Sequence, residues 1–456
     1  MNRMPSLWFR SALLGSTWAS GVRITIERGR IAQLATQAAP QSGDERHAIA
    51  VPGIPNVHSH AFQRAMAGLT ELAGPRADDF WTWREVMYRF VDRLDPDDVQ
   101  AITELAFAEM LESGCTRVGE FHYLHNAPDG NPYADEAELT GRIAAAAAAT
   151  GIGLTLLPVL YAHSNFGGLA PTQGQRRFVT TLERYARLVE AARAAVRPLA
   201  DAGVGVAPHS LRAVTPPELA AAVALAAAGE PIHIHAAEQV KEVDDCIAWS
   251  RQRPVEWLLQ HASVDSRWCL VHATHLTALE SERLAASGAV AGLCPITEAN
   301  LGDGIFPAQA YLDAGGRCGV GSDSNVQIDA PAELRALEYA QRLARRGRNI
   351  LASPARRSTA GRIFEAVVSG GARALASDAG VLAPGGPADI VSLDAEHPSL
   401  VGRSGDRILD SWIFACRDRA IDCVWRHGEK VVAGGRHRGR DAIAQRYRRT
   451  LERLLG

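Results

Sequence analysis

Lysine is nearly missing from this chain of 456 residues: it occurs at Lys241 and Lys430, and the other 46 basic residues are arginine. No lysine amine before Lys241 is available to a catalytic site or a metal bridge. An excess of charge of one sign is missing too. With 48 Lys+Arg against 51 Asp+Glu the net charge is −3, and neither a basic run nor an acidic tail occurs. That excludes the footprint of a protein that follows a phosphate backbone, so no nucleic-acid partner is expected. Cysteine is sparse: Cys115, Cys246, Cys269, Cys294, Cys318, Cys416 and Cys423 are odd in number, scattered and never spaced C-x-x-C. A disulfide framework and a Cys-rich zinc site are excluded, and reduced thiols in a cytoplasmic protein are expected. The one long uncharged run, 143–175, is broken by Gly151, Gly153, Pro158, His163 and Asn165, so it is not read as a membrane span. The apolar patch near the N-terminus is interrupted by Arg10 and carries no targeting signature.

What is present is an ordinary globular composition, 47 % hydrophobic, with a marked alternation. Short apolar runs at 54–58, 117–121, 153–158, 204–207, 231–235, 268–272, 289–293 and 318–322 are separated by helix-like stretches such as 97–113, 136–150, 175–201, 216–228, 276–287 and 332–345. Eight strand–helix alternations over this length predict an α/β fold of the (β/α)8 TIM-barrel kind over 51–377. A doubly wound sheet would show the same periodicity. Residues 1–50 and 378–438 are β-rich instead and predict one small β-sandwich built from both termini. The Arg-rich amphipathic segment 439–456 predicts a last helix, packed on the barrel or on a second copy in a homodimer.

Histidines and carboxylates gather at the ends of the apolar runs. In an extended segment residues i and i+2 face the same way, so His58 and His60 can reach one cation. The fifth run ends in His233-Ile-His235-Ala-Ala-Glu238, the sixth in His272 and the eighth in Gly321-Ser-Asp323. Barrel enzymes place their sites at the C-terminal strand ends, which would bring His58, His60, His235 and Asp323 together. Three imidazoles and a carboxylate suit one divalent metal, zinc or iron, with an open position for water. His233 competes with His235 as a ligand. The H-x-x-E spacing favours His235, because it sets Glu238 just past the strand, where it can take a proton from water and pass it to a leaving nitrogen. His272 can polarise the attacked centre. The missing lysines exclude a two-metal site bridged by a carbamylated lysine on the fourth strand, though not a carboxylate bridge.

Five segments are more specific: 52–68 with His58-Ser-His60 and Gln63, Phe80-Trp-Thr-Trp-Arg84 through residue 90, Val118-Gly-Glu-Phe-His-Tyr123, Pro208-His209-Ser-Leu-Arg212, and Cys294-Pro-Ile-Thr-Glu-Ala-Asn300. Together they resemble the amidohydrolase superfamily, and within it the formimidoylglutamate deiminases of histidine degradation, over nearly the whole chain. The resemblance implies metal ligands His58, His60, His235 and Asp323, catalytic groups Glu238, His272 and Asp323, and substrate contacts from Gln63, Arg84, Tyr123, His209 and Arg212. It also implies one divalent ion per chain and hydrolysis of a small dicarboxylate, N-formimidoyl-L-glutamate, to N-formyl-L-glutamate and ammonia. A guanidinium fork grips a carboxylate through two charge-assisted hydrogen bonds, which gives Arg84 and Arg212 a role on such a substrate. Competing expectations are a related deaminase or chlorohydrolase of a purine, pyrimidine or triazine ring, and a barrel scaffold without catalysis.

Overall fold

The eight apolar runs become the strands of one parallel barrel in the computed structural model of the chain, which describes residues 6–75, 78–417 and 420–456. In barrel order they are Ile54–Ser59, Cys115–His122, Gly153–Leu160, a split fourth strand (Gly203–Val204 and Ala207–Pro208), Ile232–Ala236, Trp268–His272, Val290–Leu293 and Arg317–Val320. Strand eight returns to strand one through Val320 and Asn56, and bridges Val206–Ile232 and Ser210–His235 join strands four and five. That closure rules out the open, doubly wound alternative. The fourth strand breaks at Gly205, where a Cβ atom would lie 2.5 Å from the Pro231 carbonyl oxygen and 2.7 Å from Leu157. Only glycine lets the two neighbouring strands approach there.

Inside the barrel Val57, Cys269, Val271, Val290 and Cys294 form a layer that meets Ala374, at the end of helix Thr359–Ala374. Gly370 and Gly371 of this helix pack directly on the backbone at Cys318 and against Pro55. The helix therefore stoppers one mouth of the barrel, and the other mouth, at the C-terminal strand ends, stays open to a cleft.

The two β-rich ends join one eight-stranded sheet, in the order Arg436–His437, Glu429–Ala433, Ile421–Arg426, Ile390–Leu393, Glu45–Pro52, Ser6–Leu14, Thr17–Glu27 and Arg30–Ala35. Alternation divides its faces. Phe9, Ala50, Ile390 and Trp425 belong to a small core of the sheet, whereas Leu13, Ile49, Val51, Val391 and Val424 join the large core shared with the barrel. The last helix, Arg440–Leu455, lies on the barrel helix Pro96–Glu112, with Ile443 packed among Leu105 and Ala108 and with Arg446 paired to Glu104.

Two expectations are corrected by tertiary contacts. The helix expected over 175–201 spans only Leu182–Val196, because fully buried Arg177 is spent on the carbonyls of Val91, Leu94 and Asn126 and Thr181 caps the helix start. The terminal segment expected to be β-rich also holds helix Asp406–Ala415, whose Ile408, Leu409, Trp412 and Ile413 are buried. The uncharged run 143–175 divides into the end of helix Glu138–Thr150, strand Gly153–Leu160 and loop, and among the described residues no helix is long and apolar enough to cross a membrane.

Candidate active site

Three imidazoles and one carboxylate meet at the open mouth. His58 Nε2 lies 3.2 Å from His60 Nε2, 3.1 Å from His235 Nε2 and 3.3 Å from Asp323 Oδ1, and His60 Nε2 is 3.3 Å from the same oxygen. His60 donates its Nδ1–H to the Phe121 carbonyl at 2.9 Å, and His235 donates its own to the His209 carbonyl at 3.0 Å. Both rings therefore turn an Nε2 lone pair inward. Burial keeps the imidazoles neutral, with His58 pushed down to about 3 and His235 well below its usual range. Burial works against ionisation of Asp323, but the facing imidazoles of His58, His272 and His60 outweigh it and hold the carboxylate ionised. Two inward lone pairs and a carboxylate oxygen crowd about 3 Å from His58 Nε2, whose single proton can satisfy only one of them, so the donor set fits a cation. An ion with four ligands at roughly 2.0–2.1 Å separates neighbouring donors by about 3.3 Å, close to the distances found.

Polar residues that the sequence reading passed over build the scaffold beneath. Asn56 donates to Ser322 Oγ (2.7 Å) and accepts from the Ser322 backbone N–H (3.1 Å), Ser322 donates to Asn325 (2.6 Å), and Asn325 donates to Ser59 Oγ (3.1 Å). This chain of bonds ties strand one to strand eight on either side of His58 and Asp323. It also holds Asp323 and Asn325 at positive φ, +43° and +55°, a conformation that needs outside support. The signal available in the sequence was Asn56 itself, a polar residue inside an otherwise apolar run.

A cleft of about 550 Å³ opens above, and His60, His235, Asp323, Glu238 and His272 reach it together with Gln63, Arg84, Tyr123, His209 and Arg212. Fully buried His58 lies behind them. Glu238 is aimed by a turn in which Glu242 accepts the backbone N–H groups of Ala237 (3.2 Å) and Glu238 (3.0 Å). Burial raises the Glu238 carboxyl to about 7, against the pull of His272 and Arg212. His272 Nε2 stands 3.7 Å from Glu238 Oε1 and 3.8 Å from Asp323 Oδ2, and its Nδ1 is 3.3 Å from Glu298 Oε1. Burial alone would lower this imidazole, but Glu238, Glu298 and Asp323 together raise it to about 10. Glu298, anchored by the Cys294 N–H at 2.8 Å, is a second group the sequence reading quoted only as part of a motif.

On the opposite wall Gln63 donates its Nε2–H to the Tyr123 hydroxyl at 2.8 Å, which leaves the Tyr123 O–H free to donate into the cleft. Arg212 comes no nearer to a carboxylate than 3.8 Å, at Glu238, and among the described residues Arg84 has no carboxylate partner. His233 is not part of this assembly. Its Nε2 sits 2.7 Å from the Ala374 carbonyl of the stopper helix, one layer deeper in the barrel.

A closed parallel barrel with buried imidazoles and a carboxylate converging at its C-terminal mouth defines a metal-dependent hydrolase. The chain belongs to the amidohydrolase family, whose sequence profile matches residues 49–431; residues 6–48 match the N-terminal domain of formimidoylglutamate deiminase HutF. It is 49% identical over 455 residues to a formimidoylglutamate deiminase of Pseudomonas aeruginosa, covering 99% of this chain and 100% of that one. It is 31% identical to a 5-methylthioadenosine/S-adenosylhomocysteine deaminase of Natronomonas pharaonis, covering 90% and 87%. A crystal structure of an amidohydrolase from Brucella melitensis superposes with a TM-score of 0.96 at 51% identity, covering 99% of this chain and 100% of that one. A zinc complex of an atrazine chlorohydrolase from Arthrobacter aurescens, at 20% identity and a TM-score of 0.83 over 98% and 100% of the two chains, shares the fold.

Proposed function

We propose that this protein hydrolyses N-formimidoyl-L-glutamate to N-formyl-L-glutamate and ammonia, with one divalent metal per chain, zinc before iron, held by His58, His60, His235 and Asp323. The observation that carries the substrate is the pair Arg84 and Arg212, two guanidinia in one cleft, Arg84 with no carboxylate partner among the described residues and Arg212 with Glu238 no nearer than 3.8 Å. A substrate with two carboxylates completes both; a neutral purine, pyrimidine or triazine ring leaves them unpaired. The near-identical length and high identity of the Pseudomonas aeruginosa deiminase support the same reading.

When bound, the metal supplies a water acidified to near neutrality. Glu238, whose carboxyl burial raises, would accept a proton at its carboxylate and deliver it to the amidine nitrogen, which leaves as ammonia. His272, held protonated by the carboxylates around it, faces the reacting carbon from the sixth strand and stabilises the charge that develops there. Arg84 and Arg212 hold the carboxylates, and Tyr123, Gln63 and His209 orient the chain between them through neutral hydrogen bonds. The reaction takes place on a small molecule, and we infer a cytoplasmic homodimer.

Purified protein loaded with zinc, assayed for ammonia release from N-formimidoyl-L-glutamate beside guanine and cytosine, tests the proposal. Turnover of the first alone is expected. Deamination of either base, with the formimidoyl compound untouched, would falsify it.

A further inference from the structure

The two guanidinia meet at a residue that does not line the cleft. Trp81 lies in the first turn of helix Phe80–Val91, where Asp79 accepts its backbone N–H at 2.8 Å and that of Thr82 at 3.1 Å and so fixes the start of the helix. One turn on, the Arg84 guanidinium stacks 4.5 Å from the Trp81 ring centroid, with Tyr88 at 5.5 Å from the same carbon. Arg212 reaches the same indole, at 5.8 Å, from the loop after the fourth strand. Among the described residues Trp81 is the one ring in cation–ring contact with both arginines. Lys241 also approaches it, at 5.8 Å, but is tied to Asp245 at 2.8 Å.

Each guanidinium is planar and prefers an aromatic face, so a shared indole restricts both cations at once and offsets part of their mutual repulsion. Without it the side chain of half-buried Arg84 is free to swing away, and the spacing between the two carboxylate grips is no longer defined. Since the Trp81 ring stands outside the cleft lining, its effect on substrate passes through the arginines.

We propose that Trp81 is a positioning residue that sets the separation of Arg84 and Arg212 and thereby selects the length of the dicarboxylate substrate, an inference that rests on the function read above. The test compares the zinc-loaded full chain with Trp81→Leu and Trp81→Phe, each on N-formimidoyl-L-glutamate and on the aspartate analogue one methylene shorter. Trp81→Leu is expected to raise KM for the glutamate compound roughly tenfold, to leave kcat within about threefold, and to shrink the preference over the shorter analogue. Trp81→Phe, which keeps an aromatic face, falls between the two. Unchanged KM and preference in the variants would overturn the inference while the function stands. So would a loss of kcat and melting temperature in Trp81→Leu with no graded recovery in Trp81→Phe, since a merely structural role predicts that pattern. If Trp81→Leu does not fold, the phenylalanine variant decides, by a KM increase of about two- to fivefold at constant kcat or by none. Absence of turnover by the unaltered protein on both substrates would overturn the function and this inference together.

Discussion

The barrel holds two His-x-His pairs, and they behave differently. Both rings of the first pair, His58 and His60, enter the cluster of facing donors at the open mouth; of the second, only His235 does, while His233 turns to the Ala374 carbonyl. Residue types and spacing are the same, so the difference lies in the strands. Strand five pairs with strand six in unbroken register from Ile232–Trp268 to Ala236–His272, and in such a strand i and i+2 side chains stand about 6.6 Å apart along the axis. One ring reaches the rim and the other remains a layer below. Strand one breaks register with strand two between Asn56 and Ser59. A bulge of this kind re-aims side chains: Val57 joins the interior layer and His58 still faces His60, His235 and Asp323. Whether both rings of an H-x-H on a barrel strand face one cluster is thus a property of local register as much as of composition.

The same substitution placed in each pair breaks the comparison most directly. His58→Ala removes the ring that touches all three other donors, and metal content should fall from about one ion per chain to near zero, with activity following it. Metal analysis of the purified variant reads this, and full metal retention would remove His58 from the ligand set. Glu238→Gln acts at the rim without being a donor in the cluster. It should keep metal and lose about 10²–10⁴-fold in kcat; a variant that loses its metal instead would make Glu238 a ligand. Arg212→Met should keep both metal and fold and raise KM by roughly ten- to a hundredfold, the range for a lost hydrogen bond to a charged group. An unchanged KM would argue against its carboxylate contact.

The contrast also shows what could be read in advance. All eight strands appear within two or three residues of their apolar runs, the fourth split at Gly205, because a parallel strand buried on both faces is a short continuous apolar segment. The position of His58, His60, His235, Asp323, Glu238 and His272 at strand ends follows from the barrel alone, since the open mouth is where polar groups can face a cavity. The bulge at strand one was not legible, for it depends on how Gly119 and Gly321 pack on the backbone of Val57 and His58. Nor were the roles of Asn325 and Glu298, which are set by bonds to residues distant in sequence. The late start of the helix expected over 175–201 was hidden for the same reason, since it depends on Arg177 reaching three carbonyls far away in sequence.

The smallest effect is the sharpest test of the two layers. His233 is fully buried, and its one hydrogen bond satisfies the last carbonyl of the helix that stoppers the barrel. Burial holds its imidazole down, to about 4, so at neutral pH it is an uncharged donor. His233→Ala therefore leaves the Ala374 carbonyl unsatisfied and opens a small void, at a cost of about 1–3 kcal/mol, without touching a donor of the cluster. Urea unfolding of the metal-loaded variant should show that loss, with metal content and KM as in the unaltered chain. If metal content falls instead, the layer at Ala374 is coupled to the ligands above it, and the division between the two pairs drawn from register does not hold.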